Sequence, residues 1–204
     1  LDKLLTSVSR VEAENAIRTL LRFIGEDPDR AGLRDTPKRV CEAWTNDWAS
    51  GYGLNCATAL FDTQGEFKTF TDDASEPYPS EMIIQQDISF SSTCEHHLAP
   101  FYGTVDIGYI PKNGKLVGLS KLSRVVGIFA KQLQMQERLT TQIADFLKQH
   151  LSPHVAVIVR AEHMCMRSRG VYQQHAVTVT SALRGNFFDE HETRAELYSL
   201  VRKA

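Results

Sequence analysis

Ala13, Ile17, Leu20, Leu21 and Ile24 recur at the three- and four-residue spacing of a helix face, and "GEDPDRAG", with Gly25, Pro28 and Gly32, predicts where that helix stops. A second helix is expected from "DTPKRV", capped by Asp35 or Thr36 with Pro37 in the first helical position. Trp44 and Trp48, four apart on it, read as core. Residues 51 to 80 show weak periodicity with Gly, Pro and acidic residues, which reads as a connecting segment holding at most a short strand. The expected organisation is an N-terminal helical arm over residues 1–55 and a core over residues 56–204.

The core alternates differently. "EMIIQQDISF" and "FYGTVDIGYI" read as strands, the second with Val105, Ile107 and Tyr109 set against Thr104, Asp106 and Gly108. "PKNGK" is the turn out of it. "SKLSRVVGIFAKQL" and "ERLTTQIADFLKQHL" carry apolar residues at helical spacing, "HVAVIVRAEHMC" and "QHAVTVTSALRG" return to strands, and "ETRAELYSLVRKA" closes the chain as a helix. Two strands, two helices and two strands predict an α+β fold: an antiparallel β-β-α-α-β-β sheet with both helices on one face. Its unpaired edges are expected to pair between copies of the chain, closing into a ring.

Composition narrows the function. A formal net charge of −2 and a hydrophobic content of 42% over 204 residues describe a packed globular protein without the basic field that holds nucleic acid through phosphates. No apolar stretch approaches the roughly 20 residues of a membrane span, and the N-terminus lacks the apolar stretch of a secretory signal, so a cytoplasmic protein is expected. Four cysteines are too few and too scattered for a disulfide scaffold.

Two of those cysteines keep histidine company. "STCEHH" puts Cys94 and His97 three apart at a strand end, and "AEHMC" puts His163 and Cys165 two apart at the end of another strand, where both are expected to project from one face. Thiolate and imidazole together favour zinc. One reading is a closed structural site with His96 or His163 as fourth ligand; the other is a site with three protein ligands and a position left for water. The two segments supply five candidates where a structural site needs four, and the surplus favours acid–base groups beside a metal-activated water.

"GLSKLSRVV" opens a helix with Ser120 as expected cap, then Lys121 and Arg124. Cations in a first turn oppose the helix dipole, an arrangement that makes sense if an anion binds there. Arg169, just beyond Cys165, is placed to join it. Glu137 starts the next helix, where a carboxylate suits the dipole; it can also accept paired hydrogen bonds from the ring and amino nitrogens of guanine.

These motifs together resemble GTP cyclohydrolase I, along nearly the whole chain from "DTPKRV" through "STCEHH", "GLSKLSR", "QERLT" and "HMCMRSRG" to "TRAEL". The resemblance implies the tunnelling fold, a homodecamer of two pentamers with sites between subunits, GTP as substrate, and one zinc per subunit held by Cys94, His97 and Cys165. It implies His96 and His163 as the acid–base pair. Ser120, Lys121, Arg124 and Arg169, with Arg39 from a neighbouring subunit, would hold the triphosphate, and Gln136 and Glu137 the guanine. The implied reaction adds water at carbon eight, releases formate and yields 7,8-dihydroneopterin triphosphate. The chain departs from the family where Gln132 and Leu133 replace a common Arg-Pro, and where Glu42 stands in place of a lysine found in some relatives. Pyruvoyl-tetrahydropterin synthase and a queuosine-pathway nitrile reductase fit less well, the first holding zinc with three histidines and the second lacking this metal set. A zinc-stabilised nucleotide sensor without chemistry would bind GTP and leave it intact.

Overall fold

A computed structural model describes residues 8–52, 69–70, 81–112 and 116–201. The chain divides into two compact units, Leu1–Ser50 and Gly51–Ala204.

In the first unit, α1 (Arg10–Phe23) opens with a capping box, Ser9 and Glu12 satisfying each other's backbone amides. Helix α2 (Thr36–Ala43) has Asp35 at the cap position, one of the two residues expected there, but with helical torsions and no side-chain cap bond. Its carboxylate lies 3.5 Å from Arg39 instead. The helix then widens into a π-turn, Trp44–Trp48. There Trp48 is 48% exposed and meets Trp44 edge-on, so the expectation that it is core does not hold. Glu42 accepts from Arg10 at 2.9 Å.

The second unit is built on a five-stranded sheet of order β5-β2-β3-β6-β7, from β2 (Ile83–Cys94), β3 (Pro100–Tyr109), β5 (Leu133–Gln134), β6 (Val155–His163) and β7 (Thr178–Arg184). A separate two-residue ladder joins β1 (Thr69–Phe70) to β4 (Leu116–Val117). Residues 53–68 and 71–80 of the 51–80 connection, Cys56 included, and the tip of the "PKNGK" turn lie outside the described residues. All neighbours in the large sheet are antiparallel except β5, which runs parallel to β2 through Thr93↔Leu133 and Cys94↔Gln134. Residues 131–133 were expected to continue the preceding helix. They cannot, because the chain leaves α3 (Leu119–Ala130) to donate the Leu133 amide to the Tyr52 hydroxyl and to pair with β2.

Alternation along β6 sorts the core. Val155, Val157 and Val159 face a large cluster with Leu122 and Val125 of α3 and Leu139, Ile143 and Leu147 of α4 (Gln136–His150), all buried. Both long helices therefore pack in the same cluster as that face of β6. Ala156 and Ile158 point the other way, onto Phe187 of α6 (Asn186–Asp189) and Leu197 and Val201 of α7 (His191–Val201). On β3 the predicted alternation holds, with Val105, Ile107 and Tyr109 in the large cluster. Asp106 faces away, 2% exposed, paired with Arg160 and accepting the Asp87 amide at a bulge in β2.

Register places the chemistry. Thr93 pairs with Pro100 and Phe101 with His163, so the end of β2, the start of β3 and the end of β6 meet at one end of the sheet.

Candidate metal centre and substrate cleft

Cys94 is the last residue of β2, and the turn after it is fastened at both ends. The Cys94 amide donates to Ala99 O at 2.8 Å, Leu98 closes back onto Cys94 O at 2.9 Å with its φ at 53°, and the Glu95 amide donates to Gln134 O at 3.0 Å. His97 thereby hangs over the strand end, its Nδ1 3.9 Å from Cys94 Sγ.

Cys165 arrives from β6, but not as expected. The strand ends at His163, and Cys165 lies in the single turn of α5 (Met164–Arg167), so helical winding, not strand alternation, turns the thiol toward Cys94. The ligand atoms of Cys94, His97 and Cys165 all lie within 4.8 Å of one another. Two ligands on a tetrahedral zinc stand about 3.5–4 Å apart, so the set is close to the spacing such an ion requires. Burial, then the adjacent Cys94 sulfur, push the Cys165 thiol up. Two thiolates side by side are unfavourable until a cation lies between them, and the donor set fits a thiophilic divalent ion.

His96 lies on the exposed side of the turn, its Nδ1 3.9 Å from Cys94 Sγ and its ring 6.3 Å from that of His97. His163 is half-buried and stacks flat on Phe101, with ring centroids 4.7 Å apart and planes 3° apart. Burial holds its imidazole below the usual histidine range, an effect partly offset by the Glu137 carboxylate. Its Nε2 lies 2.8 Å from Gln136 Oε1.

A cleft of about 370 Å³ joins these groups, lined by the metal set together with His96, His163 and the start of α4. Glu137 opens into it, exposed. Gln136 shares the cleft wall but is 1% exposed. Its amide nitrogen donates to Val159 O, Thr178 O and Thr180 Oγ1 at 3.0–3.1 Å, and its oxygen meets His163. Both ends of this amide, expected to face guanine, are engaged within the chain.

The expected anion site is not gathered into this cleft. Ser120, Lys121 and Arg124 sit in the first turn and a half of α3, and Arg169 follows α5, none of them lining it. Ser120 is not the cap; Gly118 holds that position and accepts the Lys121 amide at 2.7 Å, leaving Ser120 exposed in the first turn. Arg39 is exposed on α2.

Some residues of the centre escaped the sequence reading. Arg138, the residue after Glu137 in α4, grips Glu95 and also donates to Gln134 Oε1 and Leu133 O. Gln134 is 1% exposed and donates to Phe129 O and Gln142. The alternation in "LQMQE" was the one available signal, since it carries the two-residue period of a strand.

The sequence description of GTP cyclohydrolase I matches residues 13–202. A "GTP cyclohydrolase 1" of Bacillus pumilus is 45% identical over 199 residues, covering 97% of this chain and 99% of its own. The protein of that name from Janthinobacterium is 50% identical over 187 residues, covering 91% and 89%, and that from Bacillus subtilis 45% identical over 197 residues, covering 96% and 97%. Among solved structures, the apo form of the archaeosine synthase QueF-Like matches 53% of this chain at 18% identity and a TM-score of 0.42, too slight a likeness to carry an argument.

Proposed function

The chain belongs to the GTP cyclohydrolase I family, and on that premise we propose that it opens the imidazole ring of GTP at carbon eight with zinc held by Cys94, His97 and Cys165. The observation that carries this reading is the convergence of that set with His163 and Glu137 on one cleft. When bound, zinc supplies Lewis acidity that makes hydroxide available from water near neutral pH.

The chain's own residues do the rest. Glu137 accepts from the ring and amino N–H groups of guanine, a pairing adenine does not offer, and so orients carbon eight toward the metal set. His163 gives a proton to the ring nitrogen next to carbon eight as that carbon is hydrated, and the carbon–nitrogen bond breaks. A second water releases formate. His96, on the open side, assists opening of the ribose, and ring closure expels one water, so GTP and one net water become formate and 7,8-dihydroneopterin triphosphate. This is the first step of tetrahydrofolate and pterin biosynthesis.

Ser120, Lys121, Arg124 and Arg169 hold the triphosphate, with Arg39 supplied by a neighbouring subunit. Ser120, Lys121 and Arg124 do not line the cleft of their own chain, which favours a site completed by a second copy, in a tunnelling-fold decamer of two pentamers. Reduced thiols at the centre suit the cytoplasm.

Proton NMR of the zinc-loaded, reduced protein with GTP tests the reading. Formate appears as the carbon-eight proton of guanine disappears, and both changes stop with a chelator. Bound GTP that keeps that proton overturns the reading and leaves a nucleotide sensor.

A further inference from the structure

The hydrogen bonds around Gln136 fix which end of its amide is nitrogen and which is oxygen, the two N–H groups being shared among three acceptors. Val159 O and Thr178 O are carbonyls and can only accept, so the atom facing both, at 3.1 and 3.0 Å, is the amide nitrogen. The hydroxyls agree. Thr140 Oγ1 spends its single proton on Gln136 O at 2.7 Å, so the 2.7 Å contact between Thr140 and Thr180 is donated by Thr180. Thr180 Oγ1 is thereby left to accept from the Gln136 amide at 3.1 Å. No arrangement with the amide reversed satisfies these four oxygens.

The opposite end of the amide is then an oxygen, and an oxygen meeting His163 Nε2 at 2.8 Å demands a proton on that nitrogen. Phe101, fully buried and parallel to the imidazole, holds the ring plane. Among the described residues none donates to Nδ1.

We propose that Gln136 is a positioning residue that locks His163 in the Nε2–H tautomer, so that Nδ1 is the sole atom through which this histidine exchanges a proton with the purine. The inference rests on the proton-transfer role given to His163 above and adds which nitrogen performs it. Gln136 acts through the imidazole and does not touch guanine. A proton leaving Nδ1 for the purine nitrogen leaves the neutral ring with Nε2–H still bonded to Gln136, the same tautomer as before, so no ring flip separates one turnover from the next. The amide is itself held by two strands, β6 through Val159 and β7 through Thr178 and Thr180, so the lock belongs to the sheet rather than to a loop.

The test is magic-angle-spinning NMR of the zinc-loaded protein labelled with 15N-histidine, in alkaline buffer without GTP, with His163 assigned by its loss in His163→Asn. The expected spectrum has His163 wholly as Nε2–H, with a through-space correlation from that proton to the side-chain carbonyl of Gln136. In Gln136→Leu both tautomers appear, kcat falls about 10–100-fold and KM for GTP stays within about twofold. A wild-type Nδ1–H tautomer overturns the proposal whether or not Gln136→Leu folds, as does a variant that keeps a pure Nε2–H ring and full kcat. Failure of the cyclohydrolase reading is distinct, since it shows as wild-type protein that releases no formate whatever its tautomer.

Discussion

Arg138 grips Glu95 across 43 residues of sequence, and Glu95 is the residue that joins Cys94 to His96. The contact holds the Glu95 carboxyl below the usual carboxylate range, so it stays ionised. Because Arg138 also donates to Gln134 and Leu133, one guanidinium ties the metal turn, β5 and α4 together. Arg138→Met keeps the apolar stem and removes the grip. The expected result is a 10–100-fold loss of metal affinity, about the effect of removing an outer partner of a metal ligand, with the fold intact. Competition with a chromophoric chelator measures it, and unchanged affinity would show the pair to be a surface ornament.

Cys165→Ala removes one of the three ligands and leaves two that cannot hold an ion tightly. Metal content per subunit is expected to fall to near zero and formate release with it. Elemental analysis after gel filtration reads the first and NMR the second. Full turnover in metal-free variant protein would refute the assigned centre.

Asp106 is buried on the sheet face away from the cleft, where it pairs with Arg160 and accepts the amide that turns the bulge at Asp87. Asp106→Ala leaves the guanidinium and that amide without their acceptor. Arg160 is still 27% exposed and recovers some hydration, so the expected loss is about 2–4 kcal/mol rather than the upper end for a broken buried pair. Urea unfolding at saturating metal gives the number. Metal content and kcat of the folded fraction remain those of the wild type.

Arg39 and His163 belong, in the proposed assembly, to different subunits of one site. Arg39→Ala and His163→Ala are each expected to be severely impaired, yet protomers of the two co-assembled in equal amounts should recover roughly a quarter of wild-type activity, the random fraction of sites with both groups intact. No recovery in a verified mixed oligomer would place the whole site within one chain.

The long strands and both long helices of the core were legible because each carries its own period and buries the face that the period predicts; Val105, Ile107 and Tyr109 are an example. Cys94, His97 and Cys165 were legible as rare residue types in close spacing. What escaped depends on partners far along the chain. The alternation in "LQMQE" is too short to mark Leu133 and Gln134 as a strand by itself, and their pairing with Thr93 and Cys94 is decided elsewhere. Gln136 reads as a polar residue at a helix start, suited to a ligand, until the carbonyls of Val159 and Thr178 are seen to occupy it. Ser120 lost the cap because the chain enters that helix two residues earlier, at Gly118, whose extended torsions suit the role without a side-chain acceptor.

The ligands lie at and just beyond the ends of β2 and β6, the two strands that flank β3, and an ion gripping them would close a loop of about 70 residues. Such an ion is a reversible staple. Its binding energy exists only in the folded state, so stability rises with the logarithm of free metal, by about 2.7 kcal/mol at a hundred times the dissociation constant. Metal scarcity therefore acts twice, first on turnover and then on the survival of the chain against unfolding and proteolysis.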